Sequence, residues 1–169
     1  MKFAILQGYF PGVVGQITEA HALYYHSQWG FDVSFEAQVA RELSEFVAGF
    51  DPGRDGLWVA RRKGRFAGAI AIDGRHAEIA GARLRWFIVT PEFQGVGIGT
   101  QLIHLAVSFC RDRGYPNVYL WTFEGLKAAR HLYETSGFSL CEEHTVTQWG
   151  QPLREQKFEF NLRQGKEKQ

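Results

Sequence analysis

Residues 84–106, LRWFIVTPEFQGVGIGTQLIHLA, decide the reading of this chain. Leu84 to Val89 reads as an apolar strand, Pro91 marks a turn, and Gln94, Gly95, Val96, Gly97, Ile98 and Gly99 form a glycine-rich loop. An amphipathic helix then opens between Gly97 and Thr100, with Ile98, Leu102, Ile103, Leu105 or Ala106, and Phe109 at helical spacing. Glycines at alternate positions remove the Cβ atoms that keep a ligand off the backbone. The helix behind them aims unpaired N–H groups and the positive end of its dipole at the same place. The stretch therefore predicts an anion site that suits a pyrophosphate.

Two familiar nucleotide motifs do not fit. A Walker loop ends in Gly-Lys-Ser/Thr, whereas Gly99 is followed by Thr100 and Gln101. A dinucleotide fold needs Gly-x-Gly-x-x-Gly after the first strand of a βαβ unit, whereas Gly95, Gly97 and Gly99 have the wrong spacing and lie past the middle of the chain. Gln/Arg-x-x-Gly-x-Gly/Ala does fit, met by Gln94, Gly97 and Gly99, with Val89 ending the strand upstream. In this the chain resembles the GNAT superfamily of N-acetyltransferases, where that loop holds the pyrophosphate of acetyl-CoA.

The next segment strengthens the resemblance. Val118 to Phe138, VYLWTFEGLKAARHLYETSGF, is similar to that family's following strand and helix, with Ala129, Leu132, Tyr133, Gly137 and Phe138 meeting its Ala-x-x-Leu-Tyr-x-x-x-Gly-Phe signature. More narrowly, LRWFIV, LWTF, AARHLYE and the late WG and EQ.FE segments resemble the acetyltransferase domain fused in some bacteria behind a MarR-type DNA-binding domain, a domain this chain lacks. The resemblance implies an α/β fold: a mixed, mostly antiparallel twisted sheet of about six or seven strands with a central parallel, splayed pair, flanked by about four helices. It implies one domain over residues 1–163, with 164–169 a frayed tail.

It also implies a chemistry. Acetyl-CoA would lie in the wedge between the splayed strands, its pantetheine pairing with the backbone of Phe87, Ile88 and Val89 and its pyrophosphate on Gln94, Gly95, Val96, Gly97, Ile98, Gly99 and Thr100. Leu126 stands where many members carry Asn, so a polar contact becomes packing beside Ala129. An amine would attack the thioester directly, with Tyr133 as the acid for the departing thiolate and a backbone N–H of Ile88 or Val89 facing the oxyanion. Glu78 is the candidate base, ahead of His76, Glu36, His21 or a water chain.

Acceptor contacts are sought on the first two helices and at the start of the organising strand: Tyr24, Trp29, Glu36 and Arg85. The aromatic run of His21, Tyr24, Tyr25, His26, Trp29, Phe31 and Phe35 reads either as an amine-recognising wall or as core. Arg83 and Arg85 share one strand face; if it lines the cleft they favour an acceptor with a carboxylate or phosphate, and if it faces solvent they mean little. A small-molecule amine is the acceptor favoured, with protein lysines or N-termini, a silent acetyl-CoA sensor and a partner-binding domain as alternatives. A homodimer is compatible.

Bulk properties agree with one enzyme-sized domain. The chain has 169 residues, and its 19 Lys and Arg against 18 Asp and Glu give a net charge of +1. That balance offers no global attraction for nucleic acid or an acidic membrane surface. No apolar run reaches the roughly 18 residues of a membrane span, the N-terminus is too interrupted for a signal peptide, and two cysteines, Cys110 and Cys141, lack metal-ligand spacing. A cytoplasmic protein without a metal is expected. In chain order the patterns predict a strand at Lys2–Gly8, helices at Val13–Trp29 and from a Ser34 cap to Asp51, and a hairpin at Leu57–Arg61 and Arg65–Asp73. After the organising strand and its helix come a strand at Val118–Trp121, a helix at Leu126–Thr135, and a closing pair at Ser139–Val146 and Gln156–Leu162.

Overall fold

Glycines set the first boundary. Helix α1 (Val13–Trp29) stops where Gly30 takes φ 69°, a left-handed conformation that costs a glycine nothing. Helix α2 (Val33–Ala48) is capped by Asp32, which accepts from the Ser34 backbone N–H at 2.9 Å. The expected Ser34 cap is therefore one turn position too late: the aspartate satisfies the orphan donor and Ser34 is already helical. The helix buries Phe35, Val39, Leu43 and Phe46, the stripe its spacing predicts, and ends at Gly49 rather than at Asp51.

The computed structural model describes residues 1–163; the expected frayed tail, 164–169, lies outside the described residues. Seven strands follow one another across a single sheet in the order β1-β2-β3-β4-β5-β7-β6. They are β1 (Ala4–Gln7), β2 (Gly56–Arg62), β3 (Arg65–Asp73), β4 (Ala82–Val89), β5 (Asn117–Phe123), β6 (Ser139–Gln148) and β7 (Gln151–Asn161). Helices α3 (Ile98–Asp112) and α4 (Lys127–Thr135) complete the fold. The sheet and the four helices have the predicted architecture.

Alternation along the strands assigns each helix pair to a face. Leu57, Val59, Ala69 and Ala71 pack on Val13, Ile17, Leu43 and Phe46 of α1 and α2. The intervening Trp58, Ala60, Ile70 and Ile72 pack on Ile98, Leu102, Ile103 and Ala106 of α3. Cys110 belongs to the second core, and burial pushes its thiol up to about 12, as befits a structural residue.

Two irregularities create the cleft. All pairings are antiparallel except β4 with β5, which run parallel and touch only at Ala82 with Val118 and Arg83 with Tyr119. From Leu84 to Val89 the edge of β4 that faces β5 has no partner strand, so the sheet opens into a wedge. Within that length β4 also bulges: Ala71 pairs with Arg85 and Ala69 with Ile88, so Ile70 opposes both Trp86 and Phe87. Trp86 takes φ 48° there. The extra residue lets Trp86 join Arg85 toward α2, with the Arg85 guanidinium 4.1 Å from the Trp86 ring centroid, while Phe87 turns to the opposite core.

The closing strands are longer than their sequence suggests. β7 begins at Gln151, and the hairpin turns on Trp149 (φ 54°) and Gly150 (φ 91°), a two-residue left-handed turn. A bulky aromatic at φ > 0 hides that turn from a sequence reading. The structure repays it with contacts: Trp149 Nε1 donates to Gln38 at 2.9 Å and Asp32 N–H donates to the Trp149 carbonyl at 3.2 Å. These bonds seat the hairpin tip against the junction of α1 and α2.

Candidate active site

The loop after β4 is held open by its own backbone. Gln94 donates its side-chain amide to the Val89 carbonyl at 3.0 Å, tying the loop to the strand end. Gly95 (φ 78°) and Gly97 (φ 91°) then turn the chain, and a Cβ placed on either would meet no atom within 4 Å. Free space therefore lies in front of both. Gly97 is the N-cap of α3 and no side chain caps that helix, leaving the first-turn N–H groups facing this space. The space continues into the wedge as a cavity of about 500 Å³. Its walls include Phe87, Ile88, Val89, Gln94, Gly95, Gly97, Gly99, Thr100, Leu126, Ala129 and Tyr133. Val96 is exposed and Ile98 is buried in the core, so neither side chain reaches it.

A second cavity, about 380 Å³, opens on the α1–α2 side of the sheet. Its floor is Arg83, Arg85 and Trp86 of β4 with Trp121 and Phe123 of β5; α1 and α2 contribute His21, Tyr25, Gln38 and Glu42, and the β6–β7 hairpin contributes Gln148, Trp149 and Glu155. The two cavities share Tyr25, Phe87 and Tyr133. The Tyr133 ring is fixed there by Phe87, Phe138 and Phe158, with centroids 5.9, 6.1 and 6.0 Å away.

Four sequence candidates fall elsewhere than expected. Glu78 is exposed on the turn between β3 and β4 and lines neither cavity. It precedes the Ala82 end of β4, whereas the cavities meet near Phe87, and a strand advances about 3.3 Å per residue. Glu36 is exposed on α2 and is likewise absent from both walls, because the buried stripe of Phe35 and Val39 turns it outward. Tyr24 and Trp29 line the wedge-side cavity rather than the acceptor side. Much of the aromatic run is core: Phe31 and Phe35 pack with Phe123, Val39 and Leu153, and Trp29 leans on them. The sequence reading names His21 in the aromatic wall and as a possible base but misses Gln38, Glu42 and Glu155; the four come together only through the α1–α2 packing and the hairpin tip.

The model of the acetyltransferase (GNAT) family matches residues 16–138, which include the glycine loop, both wedge strands and Tyr133. The chain belongs to the GNAT family. It is 30% identical over 133 residues to an uncharacterized N-acetyltransferase of Methanocaldococcus jannaschii, covering 75% of this chain and 57% of that one. It is 31% identical over 145 residues to the mycothiol acetyltransferase of Nocardiopsis dassonvillei, covering 78% and 42%. The chain thus spans about half the length of these curated relatives. Among solved structures, a putative acetyltransferase of Salmonella typhimurium, determined with acetyl-CoA, shares its fold at a TM-score of 0.69 and 16% identity over 96% of this chain and 95% of that one. A GNAT acetyltransferase of Staphylococcus aureus does so at 0.76 and 15%, over 95% and 99%.

The electrostatics of this GNAT site separate its titratable groups. Burial, with a smaller contribution from neighbouring Tyr25, raises the Tyr133 phenol well above its ordinary value of 10, so it keeps its proton at any working pH. Burial also lowers Arg85, and nearby Arg83 adds to that; Glu42 and Asp73 pull the other way, and Arg85 bonds Glu42 at 2.8 Å and Asp73 at 3.4 Å.

His21 is buried and its Nδ1 lies 2.8 Å from the Ile17 carbonyl. A carbonyl only accepts, so Nδ1 carries the proton and Nε2 the lone pair. Burial lowers the ring from 6.5 to about 4, the Ile17 bond opposing it weakly. Between those values the unfolded chain binds the proton and the folded chain does not. Stability is therefore complete above about pH 6.5 and falls as pH drops toward 4, by about 2–3 kcal/mol at pH 4.5 relative to pH 7. Urea unfolding at the two pH values should show that His21→Gln loses less stability on acidification than the parent by about this amount. An equal loss in both proteins would contradict the assignment.

Proposed function

We propose that this chain is an N-acetyltransferase that passes the acetyl group of acetyl-CoA to the primary amine of a small molecule, by direct attack in a ternary complex. The observation that carries the proposal is the meeting of two cavities at Tyr133. One is walled by a glycine loop, a helix N-terminus and an unpaired strand edge; the other is walled by aromatic and polar side chains.

The residues present fit acetyl-CoA. The side-chain-free space over Gly95 and Gly97 and the uncapped first turn of α3 suit a pyrophosphate, and the open edge of β4 suits the amides of a pantetheine arm. Leu126, which begins α4 without a side-chain cap, offers apolar packing there. When bound, the coenzyme supplies an activated acetyl thioester.

The chain's own groups do the rest. Tyr133 donates its phenolic proton toward the sulfur as the carbon–sulfur bond breaks, and a backbone N–H near the end of β4 stabilises charge on the carbonyl oxygen. The amine must arrive neutral or lose its proton inside the acceptor cavity. His21, Glu42 and Glu155 are the groups there with a lone pair able to take that proton. We assign deprotonation to one of these groups, directly or through water it holds. A volume of about 380 Å³ roofed by the Trp149 hairpin suits a small molecule rather than a chain segment.

Coenzyme A release from acetyl-CoA, followed by thiol reagent over a panel of small amines and lysine-containing peptides, tests this reading. Amine-dependent release with an acetylated small-molecule product by mass spectrometry is the expected result. Release only with peptides would overturn the small-molecule acceptor.

A further inference from the structure

The acceptor cavity holds a cation that no carboxylate among the described residues pairs with. Arg83 and Arg85 stand two residues apart on β4 and both line the floor. Arg85 is spoken for: Glu42 and Asp73 bond its two terminal nitrogens and Trp86 stacks on its plane. Arg83 is different. Among the described residues it has no carboxylate within ion-pair distance and no side-chain hydrogen bond, and its Nε is sealed from solvent without a partner.

That arrangement is costly in isolation. A buried donor left unpaired forfeits its hydration, and a second guanidinium beside it adds repulsion. The nearby carboxylates, Glu42 and Glu155 of the cavity and Asp73 opposite Arg83 on β3, do not relieve it. Glu42 and Asp73 are committed to Arg85, Asp73 is also held by Arg75 at 2.7 Å, and Glu155 faces His144 at 3.5 Å.

We propose that the acceptor is an amine carrying an anionic group, a carboxylate or phosphonate, and that Arg83 binds that group. A guanidinium presents parallel N–H donors that match such an oxyanion in a two-point contact, and the two terminal nitrogens of Arg83, given no partner among the described residues and not sealed off as Nε is, are the donors available for it. Arg83 lies four residues before Phe87 on β4, so the anion sits toward the closed end of the wedge and the amine toward Tyr133. Trp121, Phe123 and Trp149 give room for an apolar body between or beside them. The proposal rests on the acetyl-transfer reading for the amine end, and on Arg83 alone for the anionic end. It also moves the acceptor contact from Arg85, favoured by the sequence, to Arg83.

The test uses the full chain with matched pairs, amino acids against their carboxamides, in the thiol-release assay. The parent should prefer the carboxylates by roughly 10- to 100-fold in kcat/KM, the yield of a charge-assisted contact. Arg83→Gln should bring that ratio near one and Arg83→Lys should restore part of it, with acetyl-CoA affinity by calorimetry within about twofold in all three proteins. A parent that treats both classes alike, or an Arg83→Gln protein that keeps the preference, overturns the proposal while leaving acetyl transfer intact. If neither class is turned over, titration with 3-phenylpropionate decides. Binding that weakens at least tenfold in Arg83→Gln supports the anion site, and no binding overturns it. Failure of acetyl-CoA to bind, with Arg83-dependent 3-phenylpropionate binding retained, would instead remove the transferase reading and keep the anion site.

Discussion

Tyr133→Phe is expected to lower kcat for acetyl transfer by about 10²-fold or more while leaving acetyl-CoA affinity within twofold, the usual size of a lost general acid. The substitution removes one oxygen and keeps the ring, so the packing on Phe87, Phe138 and Phe158 survives. The phenol is raised by burial, which disfavours phenolate and preserves the donor. The proton therefore stays available to a departing thiolate, and no basic limb of the pH–rate profile should arise from this group below pH 10. Among the described residues the hydroxyl has no hydrogen-bond partner in the protein, which leaves it free for the sulfur. Pre-steady-state acetyl transfer, which isolates chemistry from coenzyme release, is the measurement of choice. A variant within twofold of the parent would mean that the ring only packs beside the coenzyme.

Gly97→Trp is expected to abolish acetyl-CoA binding, with an increase in Kd above about 100-fold. The indole would occupy the space over the loop and cover the first-turn N–H groups of α3, removing both volume and donors from the pyrophosphate seat. Strain must be separated from blocking. Gly97 has φ 91°, so any side chain costs on the order of 1–2 kcal/mol. Gly97→Ala carries the same backbone penalty, yet its Cβ meets no atom, so it should keep most of its affinity. Calorimetry on both variants, with circular dichroism as the check on folding, distinguishes them. Equal losses in the two would indicate that backbone conformation alone matters and would remove the case for a ligand over Gly97.

What the sequence discloses and what it hides follow from where each piece of information resides. The loop, α1, the α2 stripe and the Tyr133 helix are local: glycine conformations, 3.6-residue spacing and a short signature specify them within about twenty residues. The mixed sheet and its parallel pair are legible through family resemblance, because the motifs occur in a fixed sequence, whereas the full strand order appears only in the structure. The acceptor cavity is assembled from α1, α2, β4, β5 and a hairpin tip more than a hundred residues apart in the chain. No local pattern could place Glu155 near His21, or reveal that Glu42 pairs with Arg85 while Arg83 has no carboxylate partner among the described residues. Glu78 is suggested by its place just before the strand and Glu36 by its helix, which the resemblance puts over the acceptor side; the fold leaves both exposed and outside the two cavities. The closing hairpin was truncated because Trp149 occupies a left-handed position normally left to Gly, Asn or Asp, paid for by its bond to Gln38.

The central claim is that the wedge between β4 and β5 is a coenzyme site joined to an acceptor cavity at Tyr133. Calorimetric titration of the unmodified chain with acetyl-CoA tests it most directly. The account predicts saturable binding at one site per chain, with a micromolar Kd and competition by free coenzyme A. No heat and no thermal stabilisation at millimolar acetyl-CoA would contradict it.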